Sequence, residues 1–187
     1  KNIFIPIIGG SEEGKYLVHS DIDTIVYTGN IKTGNEIIQN AGIKPCILEL
    51  SGNDSAIICS DCNLDQTVQG TVSGSFLHSG EVCDRIKRVY VVKEIAEKYI
   101  EKLLIKIESI KEKVTPLIRL ESLNYVDKQV HQTLKEGAEL LTGGKRVCKK
   151  GFYYEPTLLK IPTNTVYSVQ NEIFGPVLSL LIVDDEN

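Results

Sequence analysis

The 187-residue sequence contains no methionine and no tryptophan, and only three histidines and six prolines. Without a methionine it does not begin at its own initiator, and its first residues, Lys1 to Ile7, read as a strand already under way. The chain is therefore expected to be a piece of a longer polypeptide. No apolar run approaches the roughly 20 residues that cross a bilayer. The basic, apolar, then small-residue pattern of a secretory leader is missing as well. So is an excess of positive charge: 21 Lys and Arg stand against 25 Asp and Glu, a net charge of -4. That balance lacks the basic footprint of a nucleic-acid binder. His19 and His131 have no partner at metal-ligand spacing and read as solvated or packed histidines, so no metal is expected. What remains, 42% hydrophobic and 25% charged, is the composition of a globular domain with a real core.

Cysteine is present but in odd number: Cys46, Cys59, Cys62, Cys83 and Cys148. Five in a chain of this length do not make a disulfide framework. They point to a reducing, cytoplasmic setting with at least one thiol kept for chemistry.

Along the chain, short apolar runs alternate with polar helical stretches. Asn2 to Ile8 predicts a buried strand ending at Gly9-Gly10. Ser11 to His19 predicts a helix with Ser11 as N-cap and Glu12 and Glu13 favourable in its first turn. Strands are expected over 24–28 and 46–50, with a helix over 32–41 between them. That order argues for a parallel sheet with crossover helices. After Ser51-Gly52 a second α/β unit begins. It has strands near 56–59 and 88–92, a small-residue helix over 64–76 that carries Gly70 and Gly74, and a long helix over 95–114. In the long helix Ile95, Tyr99, Leu103, Ile107 and Ile110 form one apolar stripe. A helix over 120–136, a short strand at 140–142 and extended segments over 153–159 and 176–183 follow.

Several residues in this pattern can carry chemistry. Gly10 and Gly14 sit at a strand-to-helix junction, where glycine lets a phosphate approach unpaired N–H groups. Their spacing is not the dinucleotide fingerprint, Glu12 and Glu13 would repel a phosphate beside them, and a tight strand-to-helix turn is the plainer reading. Cys83 follows a glycine-bearing loop with His78 five residues before it. It is either a nucleophile near a surface or cleft, or a small buried hydrophobe. Glu49 closes an apolar strand at its C-terminal end, where ligands of open α/β sheets bind. It reads as a candidate general base or as a salt-bridged strand end. Cys59 and Cys62 have the C-x-x-C spacing of redox and metal sites but lack the second ligand pair of a closed zinc site.

Taken together, these segments resemble the aldehyde dehydrogenase superfamily. Asp23-Thr-Ile-Val-Tyr-Thr-Gly-Asn30 is similar to the F-T-G-S turn of that family's cofactor domain. Leu48-Glu-Leu-Ser-Gly52 is similar to the L-E-L-G-G box that carries its general base. Phe76 to Cys83 is similar to F-x-N-x-G-Q-x-C, which ends on its nucleophile, and Asn171-Glu-Ile-Phe-Gly-Pro-Val177 matches the E-I-F-G-P-V box. Gly143-Gly144 and Pro156-Thr157 fall at further family signatures. Within the superfamily, Ala41-Gly-Ile-Lys-Pro and Cys83-Asp-Arg-Ile-Lys-Arg-Val resemble the non-phosphorylating, NADP-dependent glyceraldehyde-3-phosphate dehydrogenases.

The resemblance implies an α/β fold of aldehyde dehydrogenase type. Residues 1–50 would be the C-terminal part of a dinucleotide-binding domain. Residues 51–187 would be a catalytic domain with a mostly parallel sheet, incomplete at its C-terminus. It implies oxidation of an aldehyde, such as glyceraldehyde 3-phosphate, to the acid with NADP or NAD, through a thiohemiacetal and a thioester on Cys83. Glu49 would be the base. Gly10, Gly14, Asn30, Glu172 and Phe174 would line the cofactor site. A small-molecule substrate and a homo-oligomer, dimer or tetramer, are expected; nucleic acid and membrane are not. The departures are Asn30 for Ser, Ser51 for Gly, His78 for Asn and Glu81 for Gln, and the place of the subfamily's phosphate-binding Arg is taken by Val82. They leave open a catalytically impaired homologue with a structural or binding role, and Cys59 and Cys62 leave open a thiol-redox module.

Overall fold

The computed structural model describes residues 3–185. Two compact units divide the chain, one running up to Ser51 and the other from Gly52.

The first unit contains α1 (Ser11–His19), β1 (Ile25–Thr28), α2 (Ile31–Asn40) and β2 (Cys46–Glu49). The strands pair in parallel, with Ile25 opposite Cys46 and Thr28 opposite Glu49. Strand alternation sends Ile25, Tyr27, Cys46 and Leu48 towards a small core around Ile37 and Ala41. Val26 and Ile47 emerge on the other face and are exposed. Helix α2 approaches closely because Gly34 lacks a side chain: a Cβ there would stand 2.7 Å from Leu50 Cδ2. Residues 3–8, expected as a buried strand, are irregular, and Ile3, Phe4, Ile5, Ile7 and Ile8 are exposed. Apolar β-favouring residues do not make a strand unless a neighbour pairs with their N–H and C=O groups, and among the described residues β1 and β2 pair only with each other. The N-cap of α1 is Gly10 rather than Ser11, because Glu13 reaches back to accept the Gly10 N–H at 2.7 Å.

The second unit contains β3 (Asp54–Ile58), α3 (Leu64–Phe76), β4 (Ile86–Val92), α4 (Lys93–Ile110), α5 (Leu120–Lys135), β5 (Glu139–Thr142), β6 (Thr157–Lys160), α6 (Tyr167–Gln170) and β7 (Val177–Val183). Its sheet runs β3-β4-β7-β6-β5, all parallel except the β5–β6 pair. Both faces are covered, which is why β7 reads as a nearly continuous apolar run and β4 becomes one after Lys87 and Arg88. Val89, Val91, Leu158, Leu178 and Leu180 pack against α3 and α4 on one side. Leu159, Val177 and Leu181 pack with α5 and the 166–173 segment on the other. The expected stripe of α4 is borne out at Tyr99, Leu103 and Ile107, all buried. Of the two glycines in α3, Gly74 is tight against Ile86, whereas Gly70 faces open space. No helix among the described residues is long and apolar enough to cross a membrane.

Candidate active site

Cys83 is exposed in the connection from α3 to β4. That connection leaves the helix through three consecutive left-handed residues, His78 (φ 48°), Ser79 (φ 57°) and Gly80 (φ 72°). Histidine, like asparagine, enters this region several-fold more readily than most residues, which explains why His78 is accommodated here. Gly80 has no alternative, since a Cβ there would stand 2.1 Å from the Gly175 carbonyl oxygen.

The loop is anchored residue by residue. Ser79 Oγ donates to the Thr115 carbonyl at 2.6 Å and pairs with Thr115 Oγ1 at 2.8 Å. The Glu81 carboxylate accepts the Ile118 N–H at 3.1 Å. Burial pushes the Glu81 carboxyl above the ordinary range, opposed by that N–H and by Arg119. Arg85 is buried and makes three carbonyl bonds: Nε to Gly80 at 2.8 Å, one Nη to Ile173 at 2.6 Å and the other to Ile86 at 3.0 Å. Desolvation pulls its guanidinium down to about 10, with the negative charge of Glu172 acting in the opposite sense.

Two residues further along the chain, Lys87 is buried and donates from Nζ to the Cys83 carbonyl. The same ammonium lies 3.2 Å from Glu172 Oε1 and 3.9 Å from Asp54 Oδ2. Glu172 Oε1 is itself buried, with that ion pair but no aligned hydrogen-bond donor. Gln129 Nε2 donates to the Glu172 carbonyl at 2.9 Å and so fixes the backbone behind the carboxylate. Phe174, two residues on, is exposed. Gly52 lets the chain pass the loop: a Cβ there would stand 2.7 Å from the Cys83 carbonyl oxygen.

The second unit thus brings Cys83 and Glu172 together through Lys87, with Phe174 near by in sequence. The sequence reading did not single out Arg85 and Lys87. Their signal is two cations at i and i+2 immediately before and within an apolar strand, where alternation places both on one face.

In the first unit, Glu49 ends β2 but is exposed, not buried as expected at the close of an apolar strand. Its register partner is Thr28, and both lie on the sheet face that α1 and α2 do not cover. The Glu49 carbonyl accepts the Gly29 N–H at 3.0 Å, which fixes the turn before Asn30. Asn30 caps α2, its Oδ1 accepting the Thr33 N–H at 2.9 Å. Gly10, Gly14 and Thr33 border a cavity of about 730 Å³ between α1 and α2, floored by Ile25 and Tyr27. A Cβ at Gly14 would meet nothing within 4 Å, so the glycine leaves room beside the first turn of α1. These features fit part of a dinucleotide: an open cavity of ligand size that reaches the start of α1 and runs along the flank of α2.

Cys59 and Cys62 form a turn before α3, the Cys62 N–H donating to the Cys59 carbonyl at 3.2 Å. Cys62 packs against the larger core. Among the described residues no group of three or more His, Cys, Asp or Glu is arranged to hold a metal.

The sequence profile of the aldehyde dehydrogenase family matches residues 1–187. Lactaldehyde dehydrogenase of Methanococcus aeolicus is 34% identical over 90% of this chain and 37% of its own length. The 4-trimethylaminobutyraldehyde dehydrogenase of Rattus norvegicus is 35% identical over 98% of the chain and 41% of its own length. The chain therefore spans about two fifths of the curated relatives it matches. Among solved structures, betaine aldehyde dehydrogenase of Staphylococcus aureus in complex with NAD+ superposes with a TM-score of 0.88 at 30% identity, covering 94% of this chain and 38% of that one. A 3,6-anhydro-L-galactose dehydrogenase in complex with NAP gives 0.90 at 28% identity, over 96% and 41%. With its α/β fold and its motifs in matching order, this chain belongs to the aldehyde dehydrogenase family.

Proposed function

We propose that the complete protein oxidises an aldehyde to a carboxylic acid with NAD or NADP, using Cys83 as nucleophile and Glu49 as general base. The observation that carries this reading is the exposed Cys83, on a loop whose carbonyls are held by buried cations, one of which also reaches Glu172. Membership of the family supports it.

In this mechanism the Cys83 sulfur, as thiolate, forms a C–S bond to the carbonyl carbon, and the carbonyl oxygen takes up the negative charge. The Cys83 N–H is the nearest backbone donor in sequence for that oxyanion. When bound, NAD or NADP would supply the acceptor for the hydride that leaves the former carbonyl carbon as the oxyanion collapses, so that the adduct on Cys83 becomes a thioester. Glu49 takes a proton from water, whose oxygen then breaks the thioester and regenerates the thiol. Glu172 and Phe174 hold the ribose and nicotinamide, while Gly10, Gly14 and Asn30 border the cleft for the rest of the cofactor. The first unit is then the end of a dinucleotide-binding domain and the second the catalytic domain. Glyceraldehyde 3-phosphate is the finer substrate reading, supported by the segments after Ala41 and Cys83. The complete enzyme is read as a homo-oligomer of the cytoplasm, because an odd number of cysteines suits a reducing compartment.

The test is kinetic, on the complete protein with a panel of aldehydes that includes glyceraldehyde 3-phosphate. Cys83→Ser is expected to abolish aldehyde-dependent cofactor reduction. Glu49→Gln is expected to leave a burst of reduced cofactor followed by a steady rate about 100- to 10,000-fold slower, the usual worth of a general base. Near-normal turnover in Cys83→Ser overturns the reading. Near-normal turnover in Glu49→Gln removes Glu49 from it.

A further inference from the structure

Both buried cations of the second unit lie where β4 begins, and each joins the Cys83 loop to the segment that carries Glu172. Arg85 spans from the Gly80 carbonyl to the Ile173 carbonyl. Lys87 spans from the Cys83 carbonyl to the Glu172 carboxylate, with its side chain 2% exposed and that of Glu172 15%. A charge so enclosed is held only by its partners, and a loop so tied shifts when a partner shifts.

The three contacts of Lys87 are unequal. Asp54 is half-exposed at 3.9 Å and contributes least. The Cys83 carbonyl and Glu172 are the close pair. They belong to two segments far apart in sequence. Glu172 Oε1, the oxygen that faces Lys87, has no hydrogen-bond donor beyond that ion pair, so this carboxylate is not fully satisfied by the protein. A hydroxyl-bearing ligand that engages Glu172 would change the balance Lys87 keeps between carboxylate and carbonyl.

We infer that Lys87 is a positioning residue that couples occupancy of Glu172 to the placement of the Cys83 thiol, so that seating of the cofactor and presentation of the nucleophile are one event. This rests on the proposed function, which gives Glu172 its ligand. It adds a residue to that reading and requires it to act through Glu172 and the Cys83 backbone rather than by touching substrate.

The experiment measures the alkylation rate of Cys83 by iodoacetamide in the complete protein, with and without saturating NADP, and again with NAD. In the wild type, cofactor is expected to change the rate by about fivefold or more, the ordinary size of coupling between two sites. In Lys87→Met, similar in length but uncharged, that ratio is expected to fall to near one. Lys87→Arg is expected to restore it. Lys87→Gln keeps a donor but loses the ion pair, and is expected to lose the cofactor response. It stands in if Lys87→Met does not fold. A purely structural role would lower stability in these variants and leave the ratio unchanged, and that result overturns the inference. So does a wild type whose Cys83 reactivity ignores both cofactors. Neither result touches the function reading, which falls instead if Cys83→Ser retains turnover.

Discussion

At the residue scale, the Cys83 loop departs from its family pattern at two positions, and the two have opposite consequences. His78 replaces Asn in a left-handed conformation that both residues tolerate, so the backbone survives the change. Glu81 replaces Gln and brings a charge into a place where burial disfavours it. Its folded-state carboxyl titrates above the unfolded value, so its contribution to stability is present below about pH 4.5, the ordinary Glu range, and is lost as pH rises through the folded value. Glu81→Gln removes that loss while its amide oxygen can still accept the Ile118 N–H. Thermal melts from pH 4 to 8 are expected to show the variant more stable than wild type at neutral pH, the gap closing towards pH 4. A gap that widens on acidification would mean that Ile118 and Arg119, and not burial, dominate. Glu81 was visible in the sequence as a substitution, but its partner was not, because Ile118 lies 37 residues away. Cys83 and Glu172 stood out because they fall in motif boxes; Arg85 and Lys87 left only the weaker mark of two cations at i and i+2 entering a strand, which does not by itself tell a buried cation from a surface one.

At the element scale, hydrophobic period carried most of the assignment. Helix α3 has the expected bounds, α5 ends one residue earlier than expected, and α4 starts two residues and ends four residues earlier, because 3.6-residue spacing is visible wherever one face is buried. The miss at residues 3–8 has a different origin, since composition records β preference while pairing depends on a neighbour. The turn from α3 to β4 is the element on which the site depends, and Gly80 tests it. A side chain there faces both a left-handed backbone, worth about 1–2 kcal/mol per residue, and the Gly175 carbonyl oxygen 2.1 Å away. Gly80→Ala is expected to lower the melting temperature by several degrees and to alter the alkylation rate of Cys83 more than that of Cys148, the other exposed thiol. Equal changes at both cysteines would show that the turn does not set the position of the nucleophile.

At the scale of the whole chain, the two units differ in how much each buries by itself. The first rests on Ile25, Ile37 and Ala41 with a few partly buried neighbours, and one face of its two-stranded sheet leaves Val26 and Ile47 exposed. A pair of strands with so small a core is marginal. The second has a five-stranded sheet with an apolar cluster on each face. Local opening free energies run from near zero in thinly packed regions to the global value in core strands. Amide exchange in the 187-residue chain should therefore separate the units. The N–H groups of β1 and β2 are expected to exchange roughly 100-fold or more faster than those of β4 and β7, a gap of about 3 kcal/mol in opening free energy. Glu49 lies on the uncovered face of the weaker unit, whereas Cys83 is tied into the stronger one by Arg85 and Lys87. If β1 and β2 are instead protected as strongly as β4 and β7, the small core of the first unit is not what governs its stability, and the exposure of Glu49 is no guide to its mobility.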